Sequence, residues 1–310
     1  MNKDKELELE GIKKIRGRFL FENNISREGE SYLSGRIELF DGTFYYLNIF
    51  KNSKYLQNNE VYDKAVKLND KNVVVTYKDV NKYSLNNIVD IEETDEISPK
   101  IDIEEYTNSL REHLSNIKNK SYSAAMKRFM RIPDIQSSFF KTPFSDKGGL
   151  ALEGGLLKHV VDTMDIIDSL GSFVSRHIDI DLEFMKLITL MSESGRVNLF
   201  EMKDGVAVKT FEGNFVDTKS MTYKIVNEFL ATSRDYGLTQ DEIYLILHSC
   251  THDDTMKNST NVCKTKESLM LTSMKYFGDL VNNLLLLKFN NLNGEDFMQL
   301  YGKNLYVKNL

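Results

Sequence analysis

The hydrophobic period of the chain changes once, close to residue 100. Before that point, short segments rich in β-branched and aromatic residues are separated by turn signals, which is typical of strands. After it, apolar residues recur at intervals of three and four, which is typical of helices that bury one face. The sequence therefore predicts an α+β protein of two domains. The predicted ranges are 1–95 for a β-domain, 96–101 for a linker and 102–310 for an all-α domain.

Five predicted strands and one insert make up the β-domain. Asp41-Gly42, between the second and third strands, is a strong hairpin signal. A polar segment at Tyr55–Leu68 predicts a helical insert between the third and fourth strands. This arrangement indicates an N-terminal OB-fold β-barrel. The predicted strands are Lys14–Phe21, Tyr32–Phe40, Thr43–Phe50, Asn72–Tyr77 and Asn87–Ile91.

The β-domain carries aromatic and basic residues on neighbouring predicted strands. OB barrels bind single-stranded nucleic acid by stacking bases on aromatic rings beside basic side chains. Two observations oppose this interpretation: the rings would also suit the barrel interior, and acidic residues such as Glu22 and Glu38 lie nearby. The candidate nucleic-acid-binding residues are Arg16, Arg18, Tyr32, Arg36, Tyr46 and Phe50.

Composition limits the class of protein. With a net charge of −6, the chain is not expected to coat nucleic acid through bulk electrostatics. No apolar run approaches the roughly 20 residues that span a bilayer. There is no secretion signal and there are two cysteines, so we expect a cytoplasmic protein without a membrane partner. Abundant Lys and Asn, three prolines and no tryptophan are typical of AT-rich genomes, such as those of Gram-positive bacteria or phages.

The helical domain contains one motif with chemical meaning, Glu153-Gly154-Gly155-Leu156-Leu157-Lys158-His159. The glycine pair allows a tight turn, and the leucine pair begins a helix with one apolar face. That helix carries His159 inward, one turn from its start. Taken alone, such a histidine is more typical of a core residue with satisfied hydrogen bonds than of a ligand.

The motif resembles the Gly-Gly-Leu-Leu-x-His entry of HD-domain metal phosphohydrolases. The order of barrel, linker, helical lead-in, motif and all-α domain resembles the YhaM-type 3′-5′ exoribonucleases of Gram-positive bacteria over nearly the whole chain. The resemblance implies an HD-type helical domain that holds one or two divalent metals and activates a water. The family's ligands are a His, an adjacent His-Asp pair and a later Asp, and His159 corresponds to the first of them.

The remaining ligand positions depart from the family's pattern. Ser192 and Glu193 stand where the His-Asp pair is expected. Lys275 stands at the later Asp, with Asp279 one turn further on. A serine hydroxyl is a poor ligand and a lysine cation repels a metal. These departures predict a helical domain without metal catalysis.

An altered single-metal site is the alternative interpretation. His248 and His252 are four residues apart and would share a helix face, which is a common metal-binding spacing. They would act with His159, Asp253 and Glu193, of which Glu193 is the one candidate for a catalytic role. The competing interpretation is a polar helix end whose histidines form local hydrogen bonds.

Three hypotheses describe the function. The first is a non-catalytic relative of the exoribonucleases, without a cofactor, that acts as a nucleic-acid-binding or scaffolding module. The second is an active metal-dependent 3′-5′ exonuclease or phosphohydrolase that uses Mn²⁺ or Zn²⁺. The third is a purely structural or partner-binding protein, such as a phage protein. The expected partners are single-stranded RNA or DNA, another protein, or further copies of the chain in a homo-oligomer.

Overall fold

The structure is a computed structural model that describes residues 13–25, 31–39, 44–51, 59–81, 84–95, 100–203, 205–232, 237–251, 265–290, 297–300 and 303–306. Contacts divide the chain into two compact units. The first comprises Met1–Pro99 and Asn283–Leu310, and the second comprises Lys100–Asn282. Among the described residues, no helix is long and apolar enough to cross a membrane.

The first unit contains a closed, OB-like β-barrel of five strands. Its elements are β1 (Lys13–Ile25), β2 (Ser31–Glu38), β3 (Phe44–Phe50), α1 (Asn59–Lys67), β4 (Lys71–Asn81) and β5 (Ser84–Glu93). The strands pair in the order β1-β2-β3-β5-β4, and β4 pairs with β1 to close the barrel. Every pairing is antiparallel except that of β3 with β5. The prediction of an OB-like, five-stranded barrel with a helix between the third and fourth strands is confirmed.

Alternation along the strands separates the barrel interior from its surface. On β3, Leu47 and Ile49 are buried while the residues on either side of them are exposed or half-buried. Phe19 of β1 and Leu33 of β2 are completely buried in the same cluster. Because successive side chains of a strand point to opposite faces, burial of this set leaves the intervening residues on the outer surface.

The second unit is mainly helical. Its elements are α2 (Ile103–Asn116), α3 (Lys120–Phe129), α4 (Pro133–Ser138), α5 (Gly155–Val174), α6 (Leu182–Ser192), α7 (Arg196–Leu199), β6 (Phe200–Lys203), β7 (Val206–Lys209), α8 (Thr218–Ala231), α9 (Gln240–Thr251) and α10 (Lys266–Asn290, which belongs to this unit as far as Asn282). Every residue of α6 from Phe184 to Ser192 is buried, and α5 buries Leu156, Leu157 and Val160 beside it. A helix that is buried on all sides lies in the centre of its core.

Side-chain caps begin several of these helices. Asp102 accepts a hydrogen bond from the Glu105 amide at the start of α2. At the start of α9, the Glu242 amide donates to Thr239 Oγ1 at 3.2 Å while Glu242 Oε2 accepts from the Thr239 amide at 2.7 Å. This reciprocal pair is a capping box.

Three features differ from the sequence-based expectations. The helical region contains an antiparallel hairpin, β6–β7, which the sequence did not predict. A second hairpin, β8 (Phe297–Leu300) with β9 (Lys303–Tyr306), follows α10. The compact helical unit ends at Asn282, whereas the expected helical domain runs to residue 310. The expectation extended the helical pattern of α10 to the end of the chain, and it missed strands of only four residues.

Candidate functional site

The start of α5 is anchored to the loop that precedes it. Gly154 adopts a positive φ of 79°. A Cβ on Gly155 would lie 2.1 Å from the Leu150 carbonyl oxygen, so only glycine fits there. The Leu156 amide donates to the Thr142 carbonyl at 3.0 Å. These contacts place His159 one turn into the helix, where it is only 2% exposed.

His159 is held by one carboxylate and one aromatic ring. Its Nδ1 lies 3.1 Å from Asp279 Oδ1 of α10, and its ring stacks on Phe144 with centroids 3.9 Å apart. Its Nε2 is buried and has no hydrogen-bond partner among the described residues. Because a carboxylate accepts hydrogen bonds, we infer that Nδ1 carries the proton and that Nε2 presents its lone pair.

A buried ionic cluster lies beside this histidine. Lys275 Nζ of α10 donates to Glu193 Oε1 and to Ser192 Oγ, each at 2.7 Å. Arg196 Nε of α7 donates to the other oxygen of the same carboxylate at 2.8 Å. Glu193 caps the end of α6, so the two cations connect that helix end to α7 and α10. We call Ser192, Glu193, Arg196 and Lys275 the ionic cluster.

The charges of the ionic cluster determine the ionisation of Glu193. Burial raises the pKa of this carboxyl, but the charges of Lys275 and Arg196 outweigh burial, so its pKa lies far below the usual range. The carboxyl is therefore ionised at neutral pH. A buried carboxylate with a hydrogen bond from a cation to each oxygen is a fully paired charge.

Arg196 also contacts Phe144, the residue that stacks on His159. Its Nη1 donates to the Phe144 carbonyl at 2.5 Å, and its Cζ lies 3.6 Å from the ring centroid. This is a close cation–π contact in a site with little exposure. Phe144 thus connects the histidine to the ionic cluster.

The residues present do not fit the divalent metal that the HD resemblance implies. The Lys275 ammonium occupies the hydrogen-bonding positions of Ser192 and Glu193, and Asp279 is bonded to the histidine. In the described part of the chain, no three His, Cys, Asp or Glu side chains form a group that could hold a metal ion. His252 and Asp253 lie outside the described residues. His248 is on α9, where its carbonyl accepts from Thr251 Oγ1.

The charges of the ionic cluster affect the pKa of the Cys250 thiol, but this thiol is not a nucleophile. Burial raises the pKa of its thiol to about 12, while Lys275 lowers that pKa and Glu193 raises it further. The thiol is therefore protonated at neutral pH, and the thiolate is the reactive form.

Sequence reasoning missed two further ionic groups on the outer turns of α5. Lys158 Nζ lies 2.7 Å from Asp162 Oδ2 and 2.7 Å from the Tyr106 hydroxyl. His113 Nε2 lies 3.0 Å from Asp165 Oδ1. The signal in the sequence is the spacing of the aspartates on α5, at positions 162, 165 and 168.

The barrel presents an exposed aromatic surface on β2 and β3. Tyr32 pairs with Phe50 across the strands, and their rings stack with centroids 5.2 Å apart. Tyr46 is 54% exposed and its ring contacts that of Phe44, also at 5.2 Å. Phe44 and Phe50 are exposed as well. We call Tyr32, Phe44, Tyr46 and Phe50 the aromatic face.

The three candidate arginines differ in their accessibility. Arg36 is directly opposite Tyr46 in the strand register and forms an ion pair with Glu38 at 2.6 Å. Arg18 is on the outer side of β1 and pairs with Asp70 at 2.5 Å. Arg16 is only 9% exposed, so we do not include it in a surface that contacts a ligand.

Comparisons with protein-family models, with curated proteins and with solved structures found no match.

Proposed function

We propose that the chain binds single-stranded nucleic acid on the aromatic face of its barrel, and that its helical unit is a non-catalytic module of the HD type. The observation that carries the proposal is a row of three exposed aromatic rings on β3, with the half-buried ring of Tyr32 beside them on β2, on the outer surface of a closed barrel. Exposing aromatic rings of this size to water is unfavourable in free energy, and each ring offers a flat surface on which a base can stack. Such stacking contributes about 1–3 kcal/mol per base.

The cations beside the aromatic face support the same proposal. Arg36 is next to Tyr46, and both Arg36 and Arg18 are roughly half exposed. Their ion pairs with Glu38 and Asp70 are at the surface, where such pairs contribute about 0–1 kcal/mol. A phosphate can therefore replace the carboxylate as the partner of each guanidinium at little cost in free energy.

The proposed HD relationship of the helical unit rests on the order of elements and on one residue. A barrel is followed by lead-in helices, a glycine pair and a helix with an inward histidine, which is the order of the YhaM-type exoribonucleases. The proposal of a non-catalytic module rests on Lys275, whose ammonium is bonded to Ser192 and Glu193. A cation at that place opposes the binding of a second, divalent cation.

Fluorescence anisotropy with labelled single-stranded oligonucleotides tests the binding proposal. We expect Tyr46→Ala to weaken binding by about 1–3 kcal/mol, which is roughly 5- to 150-fold in Kd, because one stacking platform is lost. Tyr244→Ala is the matched control, since Tyr244 is an exposed tyrosine of the helical unit, and it should bind like the wild type. Parallel titrations of RNA and DNA identify the preferred strand. Equal affinities of the two variants would contradict the proposal.

A further inference from the structure

The ionic cluster brings together residues of three helices, with the Lys275 ammonium bonded to two side chains of one of them. Lys275 extends from α10 to Ser192 and Glu193 at the end of α6. His159 of α5 stacks on Phe144, whose carbonyl and ring contact Arg196 of the cluster. Two oxygen acceptors therefore hold the ammonium group, and the buried Nε2 of the neighbouring histidine has no partner among the described residues.

The position of this ammonium is not explained by stability alone. A buried ion pair is often no more stable than a well-packed apolar replacement, because both charges must be removed from water. Glu193 already has Arg196 as a partner on its other oxygen. Lys275 adds a second cation to the same carboxylate and a bond to a neighbouring hydroxyl, which is how a coordinated ion bridges several donors.

We propose that the Lys275 ammonium takes the place of a divalent metal ion in the helical unit. The cation of this unit is then one of its own side chains rather than a bound ion. The side chain neutralises Glu193, fills the space between its donors and makes the unit independent of metal. Replacing Lys275 by a carboxylate then turns the same cluster into a binding site for Zn²⁺ or Mn²⁺. This inference rests on the HD-type relationship proposed above for the helical unit, and it does not depend on nucleic-acid binding by the barrel.

The donors that remain after this exchange suit a transition metal. Imidazole nitrogen and carboxylate oxygen are both zinc ligands, and three protein ligands with one water are a common arrangement. Glu193 would supply one ligand, the carboxylate introduced by Lys275→Asp a second, and the buried, unpartnered Nε2 of His159 the third. Asp279 is bonded to the Nδ1 of the histidine and so fixes the tautomer whose Nε2 can bind a metal.

The first experiment measures metal binding by the full-length protein. Melting temperature and metal content are determined with EDTA, Zn²⁺ or Mn²⁺ for the wild type, for Lys275→Asp and for Lys275→Asp/His159→Ala. We expect no response in the wild type, a rise of about 5 °C with bound metal in Lys275→Asp, and loss of that response in the double variant. Stoichiometric metal in the wild type that depends on His159 would overturn the proposal. A folded Lys275→Asp without a metal response would also overturn it.

If the Lys275→Asp variant does not fold, a second experiment tests whether Lys275 acts as the cation of Glu193. The melting temperatures of Lys275→Met, Glu193→Gln and the double variant form a thermodynamic cycle. Lys275→Met leaves the carboxylate with one cation and should lower the melting temperature by roughly 10 °C. The double variant should recover at least half of that loss. Additive losses in the double variant would show that Lys275 does not act as the cation of Glu193.

Discussion

At the scale of single residues, Glu193 makes the stability of the helical unit depend on pH. Its pKa in the folded state is depressed, because the charges of Lys275 and Arg196 outweigh the effect of burial. An unfolded glutamate has a pKa of about 4.3. The stabilisation is therefore fully present above about pH 4.3 and is lost as the pH falls toward the folded pKa.

Urea unfolding at pH 3 to 6 tests this effect by comparing the wild type with Glu193→Gln. The wild type should be more stable at pH 6, and below about pH 4.3 the difference should shrink by about 1.4 kcal/mol per pH unit. Glu228→Gln is the control, since Glu228 is exposed on α8, and its stability should follow that of the wild type throughout. A difference that stays constant with pH would mean that the carboxylate is not stabilised by its cations.

Also at this scale, the resemblance identified the positions of Ser192, Glu193 and Lys275, but the sequence did not show that they touch. Lys275 is separated from Glu193 by 82 positions and Asp279 from His159 by 120, so their contacts depend on how three helices pack. Local patterns extend over a few turns of a helix and contain no information about such pairs. The burial of Arg16 was likewise not predictable, because alternation along β1 would place it on the outer face.

At the scale of elements, the entry to α5 depends on a glycine that no other residue can replace. A Cβ on Gly155 would meet the Leu150 carbonyl oxygen at 2.1 Å and the Phe144 amide nitrogen at 2.9 Å. By contrast, a Cβ on Gly278 of α10 would meet only a side-chain methyl, at 3.3 Å. Gly278 lies inside α10, where an alanine gains an intrinsic propensity of about 1 kcal/mol, and Gly155 is the first residue of α5, where the gain is smaller.

Thermal unfolding of the two alanine variants separates propensity from fit. We expect Gly155→Ala to lower the melting temperature by roughly 5–10 °C, because the backbone on both sides must move apart. Gly278→Ala should have a melting temperature within about 3 °C of the wild type. If the two variants behaved alike, the close approach of the loop to α5 would not be an important constraint.

Sequence patterns predicted the long strands and helices and missed the short ones. The barrel strands and the long helices were predicted because alternation and the helical period persist over many residues. The hairpin β6–β7 was missed because each strand has only four residues, too few for alternation to stand out. Asp204-Gly205 between them is the turn signal that would have identified it.

At the scale of the whole molecule, the net charge of −6 limits how nucleic acid can be bound. An acidic protein gains little from the general attraction of a polyanion, so stacking on the aromatic face must supply most of the affinity. Only Arg18 and Arg36 are placed to contact phosphates in our proposal. Two such contacts on a single strand predict a slope of about −1.4 for log K against log salt.

Anisotropy titrations at KCl concentrations from about 50 to about 300 mM measure this slope. We expect a shallow dependence in the wild type and a slope closer to zero by about 0.7 in Arg36→Gln. Lys224→Gln is the control because it removes an exposed cation of the helical unit, and it should leave the slope unchanged. A slope steeper than about −4 would indicate a basic groove elsewhere in the chain.

The pairing of β4 with β1 also affects how the barrel meets other chains. An open sheet ends in two edge strands, whose free amide and carbonyl groups can pair with an extended peptide or a neighbouring sheet. The barrel has no edge strand, because each of its five strands has a neighbour on both sides. Along its paired stretches the barrel therefore presents side chains rather than free backbone groups to a partner, which disfavours the strand-to-strand association that leads to aggregates.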